Sequence, residues 1–155
     1  MDIEDTIKTT LEELLKQLDI NFSKIDIDED EEKDTYNVNI VSEDQSLLIG
    51  QRGGNIQALQ HLLKILTWHN LGTERQFHIV LDVDNYRQKQ EENVISLAER
   101  KIAILRKTRR PQSLPPMSPY FRRKIHLHLM GAGFEDIETE SREQGERRHI
   151  VIKLK

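Results

Sequence analysis

Gly50-Gln51-Arg52-Gly53 is the tetrapeptide of this sequence best suited to hold an anion. Two glycines three apart present main chain without Cβ atoms, so a sugar–phosphate backbone can lie directly against the peptide. Leu47-Leu48-Ile49 precedes the tetrapeptide and Ile56 follows it, the pattern of a short helix, a corner and a longer helix. The first amides of that second helix would point their positive end at a phosphate, and Arg52 would add a full charge. A plain corner between two helices accounts for the same glycines without any ligand, so the loop by itself decides nothing.

A second constellation is Arg122-Arg123-Lys124-Ile125-His126. Arg122 and His126 are four apart and share one helical face. Phe121, Ile125 and Leu129 form an adjacent apolar stripe at the same spacing. The arginine can pair with a phosphate, and the imidazole can hydrogen-bond or stack on an unpaired base. The same spacing also fits a surface arginine beside a histidine bonded within its own domain.

Charge distribution supplies a third signal. The 155 residues carry a formal net charge of −4, yet the acids crowd into the first 50 residues and the bases into the remainder. Between Arg100 and Lys124 stand Arg100, Lys101, Arg106, Lys107, Arg109, Arg110, Arg122, Arg123 and Lys124, without one acid. Such a run displaces counterions from a phosphate backbone, and Arg106, Lys107, Arg109 and Arg110 are the expected sequence-independent contacts. Pairing with the acidic N-terminal half is the competing reading.

Other chemistries are excluded. The chain has no cysteine, so disulfides, thiol nucleophiles and cysteine zinc sites are absent. His126 and His128 fall on different sides of a helix, and His61, His69 and His78 lack carboxylates at ligand spacing. Asp28–Asp34 has no glycine or terminal glutamate of a calcium loop. Neither a Gly-x-x-x-x-Gly-Lys loop nor a Gly-x-Ser-x-Gly elbow occurs. The expectation is a protein without catalysis, metal or cofactor. An acidic N-terminus without a signal pattern, and no apolar run near ~20 residues, predict a cytoplasmic protein.

The elements that must position these residues follow from periodicity. Ile3, Ile7, Leu11, Leu14, Leu15 and Leu18 predict a helix over Asp2–Asp19. Weak alternation predicts a strand over Phe22–Ile27, then an acidic turn over Asp28–Asp34. Tyr36, Val38 and Ile40 alternate as a second strand. A short helix ends at Gly50, a longer one runs from Gly54 to Leu71, and Phe77, Ile79, Leu81 and Val83 alternate as a third strand. A long helix over Asn85–Arg109 carries Val94, Leu97, Ala98, Ile102 and Leu105. All four prolines fall between Pro111 and Pro119, a boundary signal. Ser118-Pro119 predicts a capped helix to Met130, stopped by Gly131 and Gly133. Asp136–Ser141 and His149–Leu154 predict two strands. The fold class is α+β, with a first unit over residues 1–84, a basic linking helix over 85–110 and a second unit over 111–155.

The order helix, strand, strand, helix, helix, strand, with the glycine loop between the two middle helices, resembles a prokaryotic-type KH domain, in which such a loop clamps about four nucleotides. Leu114-Pro115-Pro116-Met117-Ser118-Pro119-Tyr120-Phe121-Arg122-Arg123-Lys124-Ile125-His126 and the ending Glu146–Lys153 resemble the small single-stranded nucleic-acid-binding domain named for its Arg-x-x-x-His. Together they resemble the bacterial Jag/KhpB (EloR) family over the whole chain. That resemblance implies a cytoplasmic single-stranded RNA-binding regulator, chaperone-like and tied to cell elongation and division, often working with a small single-KH partner or as a homodimer. Single-stranded DNA is a possible alternative ligand. Gln51 stands where the family frequently has lysine, Phe121 where an acid is common, and the module many members carry ahead of the KH unit has no counterpart in these residues. On this reading Ile49, Gly50, Gln51, Arg52, Gly53 and Ile56 bind RNA, with Ile40 joining the isoleucines along a base groove. Arg122, Arg123, Lys124 and His126 form a second contact. The rival function is a protein-interaction scaffold that dimerises through its KH-like unit.

Overall fold

The computed structural model describes residues 2–155. Contacts divide the chain into two compact units, one ending at Arg87 and one spanning Gln88–Lys155.

In the first unit, α1 (Ile3–Gln17) starts from Asp2, whose carboxylate accepts from the Ile3 amide at 2.7 Å. Strands β1 (Lys24–Asp30), β2 (Thr35–Val41) and β3 (His78–Val83) form a sheet ordered β1-β2-β3. β1 and β2 are antiparallel, whereas β2 and β3 are parallel, with Tyr36 opposite Ile79, Val38 opposite Leu81 and Ile40 opposite Val83. Alternation therefore turns all six onto one face, where they join Ile7, Leu11 and Leu15 of α1 and Ile56, Leu59 and Leu63 in one core. The latter three belong to α3 (Gly54–Leu71), which follows the short α2 (Gln45–Ile49). Burying each such side chain stabilises the fold by about 1.5–3 kcal/mol before entropy is counted. The acidic run expected to be a turn is half strand: Asp28, Glu29 and Asp30 pair with Asn37, Tyr36 and Thr35, leaving only Glu31–Lys33 and a left-handed Asp34 to turn the chain. Glu29 accepts from the Tyr36 hydroxyl at 2.7 Å, and burial together with that carboxylate pushes the phenol up to about 12.

The second unit contains most of α4 (Tyr86–Thr108), β4 (Gln112–Ser113), α5 (Pro119–Leu129), β5 (Ile137–Arg142) and β6 (His149–Leu154). Its sheet is antiparallel and ordered β4-β6-β5. The helix expected to act as a linker lies, from Gln88 onward, inside this unit. Its stripe Val94, Ala98, Ile102 and Leu105 is buried, as are Phe121, Ile125 and Leu129 of α5 and Ile137, Ile150 and Ile152 of the sheet. Polar ties reinforce the packing: Glu99 bonds His128 at 2.9 Å, and Glu91 pairs with Lys124 at 3.6 Å. β4 was not expected from the sequence, because two residues beside a proline cluster carry no periodicity.

Candidate nucleic-acid interface

The glycine loop has a geometry that its residue types require. α2 ends at Gly50, whose φ of 69° and ψ of −176° belong to a region essentially reserved for glycine. A Cβ there would stand 2.5 Å from Asn55 Cγ. Asn55 is in turn fixed by donating from Nδ2 to the Leu47 carbonyl at 2.7 Å, so one side chain braces both ends of the loop. Arg52 and Gly53 are both left-handed, with φ of 54° and 76°. Gly54 is different: it has ordinary helical angles, φ −61° and ψ −39°, is exposed, and would place a Cβ in open space. The ring of Tyr86 lies beside Gly53, 3.7 Å from where its Cβ would be. The result is a tight corner at the N-terminus of an 18-residue helix in which Gly53 is buried, Gly50 is half-buried, and Gln51, Arg52 and Gly54 are exposed. Exposed main-chain amides at a helix N-terminus can accept a phosphate.

The apolar groove expected beside it is not formed by the residues named. Ile40 and Ile56 are 0% and 2% exposed, inside the core, and Ile49 is half-buried against that core. They hold α2, α3 and the sheet together in the core.

In the second unit Arg122 is half-buried at the start of α5, and its Nη1 is buried with no hydrogen-bond partner among the described residues. Burial, and then the neighbouring charge of Arg148, pull its pKa down from the ordinary arginine value. A buried guanidinium nitrogen without a partner, beside a second arginine, is costly unless an anion completes it. Ser118 sits at the N-cap with Pro119 as first helical residue, as expected, but its hydroxyl makes no capping bond and is likewise buried without a partner among the described residues. Both orphans belong to the first turn of α5 and its cap, where the helix amides also face outward.

His126 departs from its expected part. Its Nδ1 bonds the Thr139 hydroxyl at 2.7 Å and its Nε2 the Ser141 hydroxyl at 3.3 Å, both on β5. Burial first, and Arg122 second, lower its pKa below 6.5, so it is neutral at physiological pH. With both ring nitrogens engaged, His126 ties α5 to the sheet beneath Arg122 and positions that face; it does not present a free edge to a base. Thr139, Ser141 and Arg148 were not anticipated. The parity of Thr139 and Ser141 with the buried Ile137 was the available signal, since hydroxyls on the core face of a strand must meet a polar partner.

The basic run separates into distinct roles. Arg106 is engaged: Nε and Nη2 bond the Asp136 carboxylate at 3.0 and 2.7 Å, and Nη2 also donates to the Gly133 carbonyl at 2.7 Å. It is a strut between α4 and the loop before β5, so this expected phosphate contact is already ion-paired with Asp136. Lys124 pairs with Glu91 and lies 5.4 Å from the Tyr120 ring centre. Lys107, Arg109, Arg110 and Arg123 are exposed.

Comparison with known proteins finds relatives of both units. Residues 8–79 match the KhpA/KhpB KH domain, and residues 92–154 match the domain named for its Arg-x-x-x-His. The chain is 34% identical over 133 residues to the RNA-binding protein KhpB of Clostridium symbiosum, and 34% identical over 132 residues to that of Bacillus subtilis. The chain belongs to the KhpB family. These alignments take in 84% and 85% of the chain but 57% and 62% of the two relatives, so it spans less than two thirds of their length. The KhpB of Lactiplantibacillus plantarum is 32% identical over 111 residues, 72% of the chain and 33% of that relative. The Arg-x-x-x-His domain match begins inside α4, in keeping with the burial of that helix in the second unit. Among the described residues no helix is long and apolar enough to cross a membrane.

Proposed function

We propose that this chain binds single-stranded RNA through two anion-accepting corners, the Gly50–Gly53 loop of its KH domain and the Arg122 face of its Arg-x-x-x-His domain, and that it acts as a non-enzymatic cytoplasmic regulator. The observation that carries the reading is Arg122, whose Nη1 is buried without a partner among the described residues and whose neighbouring charge is Arg148. The relatives' name, RNA-binding protein KhpB, supports RNA as the ligand. At the KH loop the main chain of Gly50, Gly53 and Gly54, together with Arg52 and Gln51, holds the sugar–phosphate backbone. At the second corner Arg122 takes a phosphate, Arg123 lies exposed beside it, and Lys107, Arg109 and Arg110 add sequence-independent attraction. Two weak contacts on one chain raise avidity when one strand can span both. A role in cell elongation and division follows the family resemblance.

A scaffold role has one observation in its favour. Leu18, Leu47, Leu62, Ile65 and Trp68 are 37–58% exposed in the KH unit, and the first three line an apolar groove with Ile20, Ala58 and Leu59. A small single-KH partner, or a second copy, fits such a surface. Titrating the chain with a single-stranded RNA, its DNA counterpart and its duplex at increasing salt tests the two readings together. RNA binding expects the single strand to win and its affinity to fall steeply with salt; salt-tolerant self-association without strand binding would overturn it.

A further inference from the structure

β3 is an edge strand: it pairs with β2 on one side and, among the described residues, with no strand on the other. An open edge exposes a main-chain N–H and C=O to any group able to pair with them. At Leu81 that pair is already occupied by side chains. The Leu81 amide donates to Gln60 Oε1 at 2.9 Å, and its carbonyl accepts from Arg87 Nε at 3.0 Å. The two side chains are joined to each other, Arg87 Nη2 donating to Gln60 Oε1 at 2.9 Å. Arg87 is further held by its own amide, which donates to the Asp82 carboxylate at 3.1 and 3.2 Å. The four groups close a ring over the strand edge.

This ring adjoins the glycine loop. Ile56 and Gln60 are one turn apart on α3, and Gly53 immediately precedes that helix, so the face from Gly53 to Gln60 runs about 10 Å. Tyr86, whose ring stands beside Gly53, is the chain neighbour of Arg87. A strand with its backbone on the loop therefore has its next bases within reach of Leu81. Resting on the RNA-binding reading above, we propose that Gln60 and Arg87 form a latch over the Leu81 edge that a nucleobase must displace, making these two side chains selectivity determinants of the KH unit. A base with a free Watson–Crick edge carries an acceptor for the Leu81 amide next to a donor for its carbonyl, the same pair that Gln60 and Arg87 supply. A paired base or an abasic position has neither to offer and leaves the latch shut.

The latch costs the ligand the bond it must break, so releasing it tightens binding. Gln60→Ala in the full chain is expected to raise affinity for a single-stranded RNA about 3- to 10-fold, the worth of one hydrogen bond. The gain should vanish for the same strand made abasic at every second position. Gln60→Glu keeps the acceptor, adds a charge-assisted bond to Arg87 and should weaken the intact strand more than the abasic one. Thermal melts of both variants establish that they fold, and Gly54→Glu, measured in parallel, reports on the loop. Unchanged or weaker binding by folded Gln60→Ala while Gly54→Glu loses affinity overturns the latch and keeps the loop. A Gln60→Ala gain equal on intact and abasic strands overturns base selection. No response to any of the three variants overturns the loop reading and the latch with it.

Discussion

Gly54→Glu separates binding from folding at the glycine loop, which the other loop glycines cannot do. A side chain on Gly50 would meet Asn55 at 2.5 Å in a glycine-only backbone region, so Gly50→Asp damages the loop it is meant to probe. Gly53→Asp would place its Cβ in ordinary contact with Ile56 and Tyr86 at a buried position and must hold φ at 76°, at a cost of about 1–2 kcal/mol for the backbone. A doubly substituted loop therefore does not retain its shape. Gly54 has helical angles, an exposed position and nothing within 4 Å of its Cβ site. Glycine is about 0.8–1.0 kcal/mol worse than alanine inside a helix, glutamate lies close to alanine, and an acid in the first turn adds about 0.3–1 kcal/mol. Stability should thus rise by about 1 kcal/mol, or about 4–8 °C in the melting of a domain this size. The same carboxylate about 5 Å from a bound phosphate opposes it by about 1–3 kcal/mol between water-like and surface-like dielectric, or about 5- to 150-fold in affinity. Fluorescence anisotropy with a short labelled RNA, run in an Arg122→Gln background so that the KH unit is read by itself, measures the second effect. Gly54→Ala controls for bulk without charge. A Gly54→Glu chain that melts higher yet binds as before removes the loop from the interface; one that melts lower shows that Gly54 does not start the helix as described.

His126→Ala should destabilise the second unit by about 1–3 kcal/mol, because Thr139 and Ser141 lose their partner, and Thr139→Val should reproduce part of that loss in thermal melts. The imidazole should titrate below 6.5 by proton NMR, and Arg122→Gln should raise its pKa by removing the adjacent charge. Since the folded pKa is the lower one, the unfolded chain holds more protons between that value and 6.5, and stability should fall as pH drops through this window. Replacing Lys107, Arg109 and Arg110 with glutamine should flatten the salt dependence of binding by about 0.7 per lost phosphate contact, whereas Arg106→Gln should lower the melting temperature and leave the slope in place.

Much of this arrangement was legible from residue type and spacing. The KH element order follows from apolar periodicity, because Tyr36, Val38 and Ile40 must turn inward together with Ile79, Leu81 and Val83. The loop was legible because nothing but glycine suits Gly50. What periodicity could not convey is which polar groups meet. Arg106 and Arg122 look alike in a basic run, yet one is tied to Asp136 thirty residues away and the other keeps a buried Nη1 without a partner among the described residues. His126 reads as a ligand group until the strand opposite it supplies two hydroxyls. Ile40 and Ile56 read as groove walls because one sequence pattern serves both an open apolar cleft and a closed core. The Gln60–Arg87 ring joins a helix, a strand and the start of the next helix, and no local pattern announces such a meeting.

Backbone and arginine side-chain NMR of the full chain, titrated with a short single-stranded RNA, tests the central claim most directly. The account predicts that the amides of Gly50–Asn55 and the Arg122 Nε–H shift with the added strand, and that both responses fade as salt rises. Shifts confined to Leu18, Leu47, Leu62 and Ile65, or none at either corner, would contradict it.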